Sequence, residues 1–218
     1  GSVDVARGAQ GGLEIIHFCI LDCLRRRLAG AECGSRVLQA ALNIHCERVR
    51  ASKHAARGAR NLTELGGVEY LAALLNGAHT SGAKPIVAVV RGRQEFGPRA
   101  LGRRSLLAVP DSVDARNRLN RLKRRQWYRP VAPMVAEEAM ADAFGRSVPS
   151  PYMTMAPDVS PPIARAFPAL AHLDGTARHQ SVARRDDAWL HALLRAVGKR
   201  TGLAALINTS FNTRGKPI

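Results

Sequence analysis

The chain has 218 residues, with 33 Lys or Arg against 17 Asp or Glu and a formal net charge of +16. Its 46% hydrophobic content suffices for one good-sized α/β core or two small ones, and the 5% aromatic content means that aliphatic side chains must fill it. No apolar run approaches the ~20 residues that cross a bilayer, which excludes a helical membrane protein; the charge balance points to an anionic partner such as nucleic acid, a phosphorylated ligand or an acidic surface.

The basic charge is concentrated. Between Arg91 and Arg129 there are twelve Lys or Arg and three acids, which supply +9 of the +16. The cysteines at 19, 23, 33 and 46 lie elsewhere. They form no Cys-x-x-Cys pair, and with His17 or His45 they fit no standard zinc spacing, so they read as reduced structural thiols of a cytoplasmic protein.

Residues 1–12 are Gly-rich and expected to be disordered, and 13–29 and 36–57 read as helices of an extension covering 1–60. "LEIIHFCILDCL" is a poor leader, because the positive charges follow it. The Gly-Ser start, without Met, reads as a fragment or processed product. From about residue 61 the character changes. A helix is expected over 66–78, and "KPIVAVVRG" reads as a buried strand. A loop at 92–103 follows, and then "RSLLAV" as a strand. Asp111 is the expected N-cap of a basic helix in "PDSVDARNRLNRL". "VAPMVA" reads as a strand, "EEAMADAF" as a helix and "SPYMTMAP" as a strand between turns. Asp174-Gly175 marks a turn into another strand. "DDAWLHALLRAVGKRTG" reads as an amphipathic helix stopped at Gly202, and "LAALINTSFNTRG" as a buried strand entering a polar loop. Strands alternating with helices predict an α/β sheet with covering helices.

Four polar clusters fall at predicted strand ends, where open α/β sheets place ligands. In "EFGPRALGRRS", Gly97 and Gly102 permit close backbone approach and Pro98 stiffens the loop. Arg99 and Arg104 are then poised to grip a phosphate, with Glu95 orienting one of them. A solvated turn with an Arg–Glu pair is the alternative. "KRRQWYRP" offers Lys123 and Arg129 to a phosphorylated molecule. A basic helix end, or a stacking platform of Trp127 and Tyr128 for nucleic acid, would use the same residues. "HLDGTAR" brings together His172, Asp174, Thr176 and Arg178, without a nucleophile motif, and a turn around a satisfied His reads equally well. "NTSFNTRG" supplies Asn208, Thr209, Ser210, Asn212, Thr213 and Arg214, suited to phosphates or ribose, or simply to an Asx turn.

Together, "GRQEFGPRALGRRSLLA", "NRLNRLKRRQWYRPVAPMV", "SPYM", "HLDGTARHQSV" and "INTSFNTRGKPI" resemble the C-terminal domain of the carbamoyltransferase family, which includes nodulation-factor and antibiotic-tailoring O-carbamoyltransferases. The resemblance covers 66–218 and implies a YrdC-like twisted open mixed sheet with covering helices, expected to be truncated at its end. It implies that carbamoyl phosphate and ATP, with Mg²⁺ bridging ATP, are turned into carbamoyl adenylate. Lys123, Arg129 and Arg178 would be the catalytic cations. Arg99, Arg104, His172, Asp174, Thr176, Asn208, Thr209, Ser210 and Asn212 would line the substrate site, with no metal ligand from the protein. Arg103 and Lys216 stand where the family usually has Asn and Glu. The family's N-terminal metal-binding transfer domain, which serves an acceptor hydroxyl, has no counterpart in residues 1–60. A non-catalytic RNA-binding module and an inactive remnant are the alternative readings, although the resemblance argues against nucleic acid.

Overall fold

The computed structural model describes residues 18–19, 66–78, 83–91, 93–213 and 216–217. The helices expected at 13–29 and 36–57 lie outside the described residues, except at Phe18–Cys19, which is a short strand (β1) and not helix. It pairs in parallel with Val89 and Val90, so backbone pairing to an existing strand overrides the apolar spacing there.

The remaining elements follow the predicted alternation. α1 is Gly67–Leu75, β2 is Val87–Val90, β3 is Arg104–Ala108 and α2 is Val113–Leu122. β4, Ala132–Ala136, runs through a 3₁₀ turn at Glu137–Ala139 into α3, Met140–Phe144. α4 is Pro161–Ala166, β5 is Gln180–Val182, α5 is Ala188–Thr201 and β6 is Ala205–Ser210. β7, Asn212–Thr213, and β8, Lys216–Pro217, form a small antiparallel pair. The main sheet has the order β1-β2-β3-β6-β4-β5. It is mixed: β6 lies between β3 and β4 and is antiparallel to both, while β4 and β5 are parallel.

Period-two alternation sends neighbouring side chains of each strand to opposite faces. Leu106 and Ala108 join Ile86, Ala88 and Ile207 beneath Ala115 and Leu119 of α2. Leu107 joins Val87, Val89 and Leu206 beneath α1 and α5, where Leu71, Leu75, Leu190, Leu193 and Leu194 are buried. Covered on both faces, β6 is continuously apolar from Ala205 to Ile207. Burying one such leucine, for example Leu119, stabilises the fold by roughly 2 kcal/mol.

Two local expectations need correction. The N-cap of α2 is Ser112 and not Asp111: the Ser112 hydroxyl accepts the Ala115 N–H at 3.2 Å, whereas the Asp111 carboxylate pairs with Lys84 at 2.7 Å. "SPYMTMAP" is a turn and not a strand. The Ser150 hydroxyl accepts the N–H groups of Thr154 and Met155 at 2.9 and 3.1 Å, and Met153 has φ 61°. A short hydroxyl side chain offers the backbone a competing partner, and here it wins. The Gly202 stop of α5 is as expected, with φ 89°. No helix among the described residues is long and apolar enough to cross a membrane.

Candidate functional site

Strand register collects the four polar clusters at one end of the sheet. Val90 lies opposite Arg104, Ser105 opposite Ser210, Ala132 opposite Asn208, and Met134 beside Gln180. β2 and β6 therefore leave the sheet where β3, β4 and β5 enter it. The loop after β2, the segment after α2, the turn before β5 and the residues after β6 all converge there.

In the first loop Glu95 orients backbone and not an arginine side chain. Its Oε1 accepts the N–H groups of Leu101 at 2.8 Å, Arg103 at 2.7 Å and Arg104 at 3.2 Å. Gly102 has φ 97°, and a Cβ there would sit 2.6 Å from Leu190 Cδ2, so only glycine allows the loop to lie on α5. Nη1 of Arg104 donates to the carbonyls of Arg91 and Arg103, both at 3.0 Å. Burial lowers the Arg104 pKa, Glu95 opposes that, and Arg103 adds to it. Arg99 is exposed at the tip.

Lys123 caps the C-terminus of α2. Its Nζ donates to the Ser210 carbonyl at 2.7 Å and to Asn212 Oδ1, tying the second cluster to the fourth. Burial pushes the Lys123 ammonium down, as does Arg125. Asn120 shapes the following segment. Its amide donates to the carbonyls of Trp127 and Arg129 at 3.0 and 2.9 Å, while its Oδ1 accepts Arg125 Nε at 2.6 Å. Arg125 is lowered by burial and by Arg129. Trp127 and Tyr128 are exposed and edge-to-face, 6.0 Å between centroids.

The third cluster is a wired turn. The Arg178 N–H donates to His172 Nε2 at 3.3 Å, which leaves the ring proton on Nδ1, facing Thr176 Oγ1 at 3.3 Å. Thr176 in turn donates to Asp174 Oδ1 at 2.8 Å, and that oxygen also accepts the Thr176 N–H at 3.0 Å. Burial favours the neutral His172 ring; Asp174 opposes this, while Arg178 and Arg116 reinforce it. Hydrogen bonds from Thr176 lower the Asp174 carboxyl. Arg178 is lowered by burial and by Arg99, and Gln180 Nε2 donates to the Leu101 carbonyl at 3.4 Å, joining the first loop to the start of β5.

Asn208 and Thr209 belong to the strand and not to the polar loop. Asn208 Nδ2 donates to the Ala100 carbonyl at 2.6 Å, stitching the first loop to β6. Its Oδ1 is buried without a partner, as are Gln180 Oε1 and Arg178 Nε. Ser210 Oγ accepts from Asn212 Nδ2 at 3.2 Å. The described residues of the four clusters thus occupy one end of the sheet, linked by Lys123, Asn208 and Gln180. Sequence reasoning missed Asn120, Gln180 and Arg91. For Asn120, the one signal was an amide three residues before Lys123, where a helix end needs a cap.

The donor set gathered at this end consists of cations, amides and hydroxyls, and burial lowers Arg104, Lys123, Arg125 and Arg178. Among the described residues no group of three or more His, Cys, Asp or Glu is arranged to hold a metal. Residues 78–218 match the family described as "Carbamoyltransferase C-terminus". The chain belongs to that family. This carbamoyltransferase C-terminus is 41% identical over 133 residues to Nodulation protein U of Sinorhizobium fredii, covering 61% of this chain and 24% of the relative. It is 40% identical over 139 residues to Nodulation protein NolO of Bradyrhizobium diazoefficiens, covering 61% and 25%. It is 40% identical over 142 residues to the 3'-hydroxymethylcephem-O-carbamoyltransferase of Amycolatopsis lactamdurans, covering 65% and 26%. The chain therefore spans about a quarter of the length of these relatives.

Proposed function

We propose that this carbamoyltransferase C-terminus binds carbamoyl phosphate and ATP at the cationic end of its sheet and forms carbamoyl adenylate, for transfer to an acceptor hydroxyl by a separate metal-binding domain. One observation carries the reading. Strand register and the bonds of Lys123 to Ser210 and Asn212 gather Lys123, Arg125 and Arg178 at one end of the sheet, where burial and a neighbouring arginine lower each of them, an arrangement that an anionic ligand would relieve. On this reading Lys123 and Arg129 hold carbamoyl phosphate, with Arg99 nearby. Arg178 and Ser210 contact phosphate or carbamoyl oxygens, and Asn208 and Thr209 line the floor in a YrdC-like fold.

Carbamoyl phosphate, ATP and water would give carbamoyl adenylate, phosphate and pyrophosphate. Two anions must be brought together and two anionic leaving groups stabilised, which is a task of positioning and charge neutralisation. Mg²⁺ would travel with the ATP phosphates, which supply the oxygen ligands it prefers.

Pyrophosphate release by the full chain, given carbamoyl phosphate, ATP and Mg²⁺, tests this. Product that requires carbamoyl phosphate and disappears in Arg129→Ala supports it. Absence of both turnover and calorimetric binding sinks it. The exposed Trp127–Tyr128 pair among arginines favours a second reading, a module for single-stranded RNA. RNA affinity that falls steeply with salt would bring that reading forward.

A further inference from the structure

α2 stops in a Schellman turn. Lys123 is its C-cap and Arg124 follows with φ 49°. The N–H groups of Arg124 and Arg125 donate back to the carbonyls of Arg121 and Asn120 at 2.9 and 3.1 Å. Two features exceed what a helix stop requires. The left-handed position is usually glycine, and an arginine held there is strained. The side chains that meet across such a turn are frequently apolar. Here they are Asn120, only 1% exposed, and Arg125, whose Nε donates to Asn120 Oδ1 at 2.6 Å.

The same buried amide reaches further along the chain. Its Nδ2 donates to the carbonyls of Trp127 and Arg129 at 3.0 and 2.9 Å. Only an amide, with an acceptor on one side and two donors on the other, serves both ends. One side chain thus fixes the guanidinium of Arg125 and the backbone of Arg129. The helix end that carries it also carries Lys123, whose Nζ is bonded to the Ser210 carbonyl and to Asn212. Arg125 keeps donating capacity beyond this bond, because its Nη2 has no partner in the structure.

We propose that Asn120 is a positioning residue of the anion site: its side-chain amide holds Arg125, and the backbone of Arg129, at fixed spacing from Lys123, so that the three cations are presented together to one anionic ligand. The inference deepens the proposed function and rests on it for the identity of that ligand, carbamoyl phosphate. Cations already held in place lose little freedom on binding, which is what a rigid turn closed by a buried polar contact supplies.

The test is calorimetry and initial rates of the full chain, with melting recorded for every variant. The variants are Asn120→Leu, which has similar volume and restores the apolar contact usual in this turn, and Asn120→Ser, each alone and combined with Arg125→Met or with Arg129→Ala. The probes are carbamoyl phosphate and inorganic pyrophosphate, added separately. Each folded Asn120 variant is expected to bind at least one probe roughly tenfold or more weakly. Its KM for carbamoyl phosphate should rise by a similar factor, with a smaller change in kcat. In the Arg125→Met or Arg129→Ala background the same substitution should cost about threefold or less, because the residue it acts through is gone. Unchanged affinity in a folded variant would mark Asn120 as a bystander. A loss as large in both arginine backgrounds as in wild type, or failure of both Asn120 variants to fold, would mark it as purely structural. Each of these results overturns the proposal. If wild type binds carbamoyl phosphate and releases pyrophosphate, but the Asn120 variants do so equally well, the proposed function stands and this inference falls. If wild type binds pyrophosphate but not carbamoyl phosphate, and the Asn120 variants lose that binding with the same coupling, Asn120 keeps its role and the reaction is removed. No binding of either probe to wild type removes both.

Discussion

Arg91 and Asp187, separated by 96 positions in sequence, form a largely shielded ion pair that joins the end of β2 to the N-cap of α5. The same guanidinium donates from Nε to the Gly102 carbonyl at 2.8 Å and lies 4.7 Å over the Trp189 ring. The Asp187 carboxylate also accepts the Leu190 N–H at 3.0 Å. One ion pair thereby sets where the first loop leaves the sheet and how it lies on the helix.

Removing one partner of such a pair strands the other. Arg91→Met is expected to lower unfolding free energy by roughly 3 kcal/mol, read from urea denaturation. Asp187→Asn keeps an oxygen for the cap, so it should cost less than Asp187→Ala. Equal losses for the two Asp187 variants would mean that the cap contributes nothing.

Glu95→Ala leaves three backbone donors without their acceptor. The expected loss is roughly 2 kcal/mol, because partial exposure lets water replace some bonds. Amide exchange at Leu101, Arg103 and Arg104 should accelerate selectively. Unchanged protection at these three positions would contradict the role given to Glu95.

Gly102→Ala combines a left-handed backbone with a Cβ 2.6 Å from Leu190. A loss of roughly 2 kcal/mol is expected. Shortening the obstacle in the double variant with Leu190→Val should give less than the sum of the single losses, because one contact would be relieved in both.

Lys123 carries the link between α2 and the end of β6. If the site works as proposed, Lys123→Met should reduce pyrophosphate formation on the order of 10²-fold while the chain stays folded. Retained turnover would remove Lys123 from the machinery.

His172 and His179 are both held neutral by burial, with folded pKa values below the ordinary value of about 6.5. The unfolded chain therefore takes up protons first as pH falls. Their contribution to stability is full above about pH 6.5 and is lost as pH drops through the lowered folded values. Melting temperature should decline on acidification below pH 6.5, and His172→Gln should flatten that decline. An unchanged slope in the variant would show that His172 is not one of the titrating groups.

The strands were legible because their β-branched and aliphatic runs are short, buried on both faces and bounded by Gly, Pro or Asn. Convergence of the four clusters was legible only as a tendency of strand ends, since antiparallel register is a long-range property that no local pattern records. Glu95 looked like an arginine's partner because side-chain pairing is the simplest reading of opposite charges four or more positions apart; three backbone donors are invisible until the loop closes. "SPYMTMAP" looked like a strand because its apolar residues alternate, and the Ser150 hydroxyl that ends the alternation is one small side chain. Arg116 was hidden among Arg118, Arg121 and Lys123, where a basic helix looks uniformly solvated. Arg116 is nevertheless 8% exposed.

Asn208 and Thr209 project from β6, which has ladder partners on both sides and is covered by helices on both faces. The floor of the site thus has no local route to opening: freeing the amide of Asn208 means dismantling the middle of the sheet. Its hydrogen-exchange free energy should equal that of global unfolding, whereas the loop tip bearing Arg99 opens independently. The loop tip and the strand floor would then respond differently to heat. If the site binds an anion as proposed, contacts from the tip would loosen gradually, while those from the strand would persist until the whole fold melts.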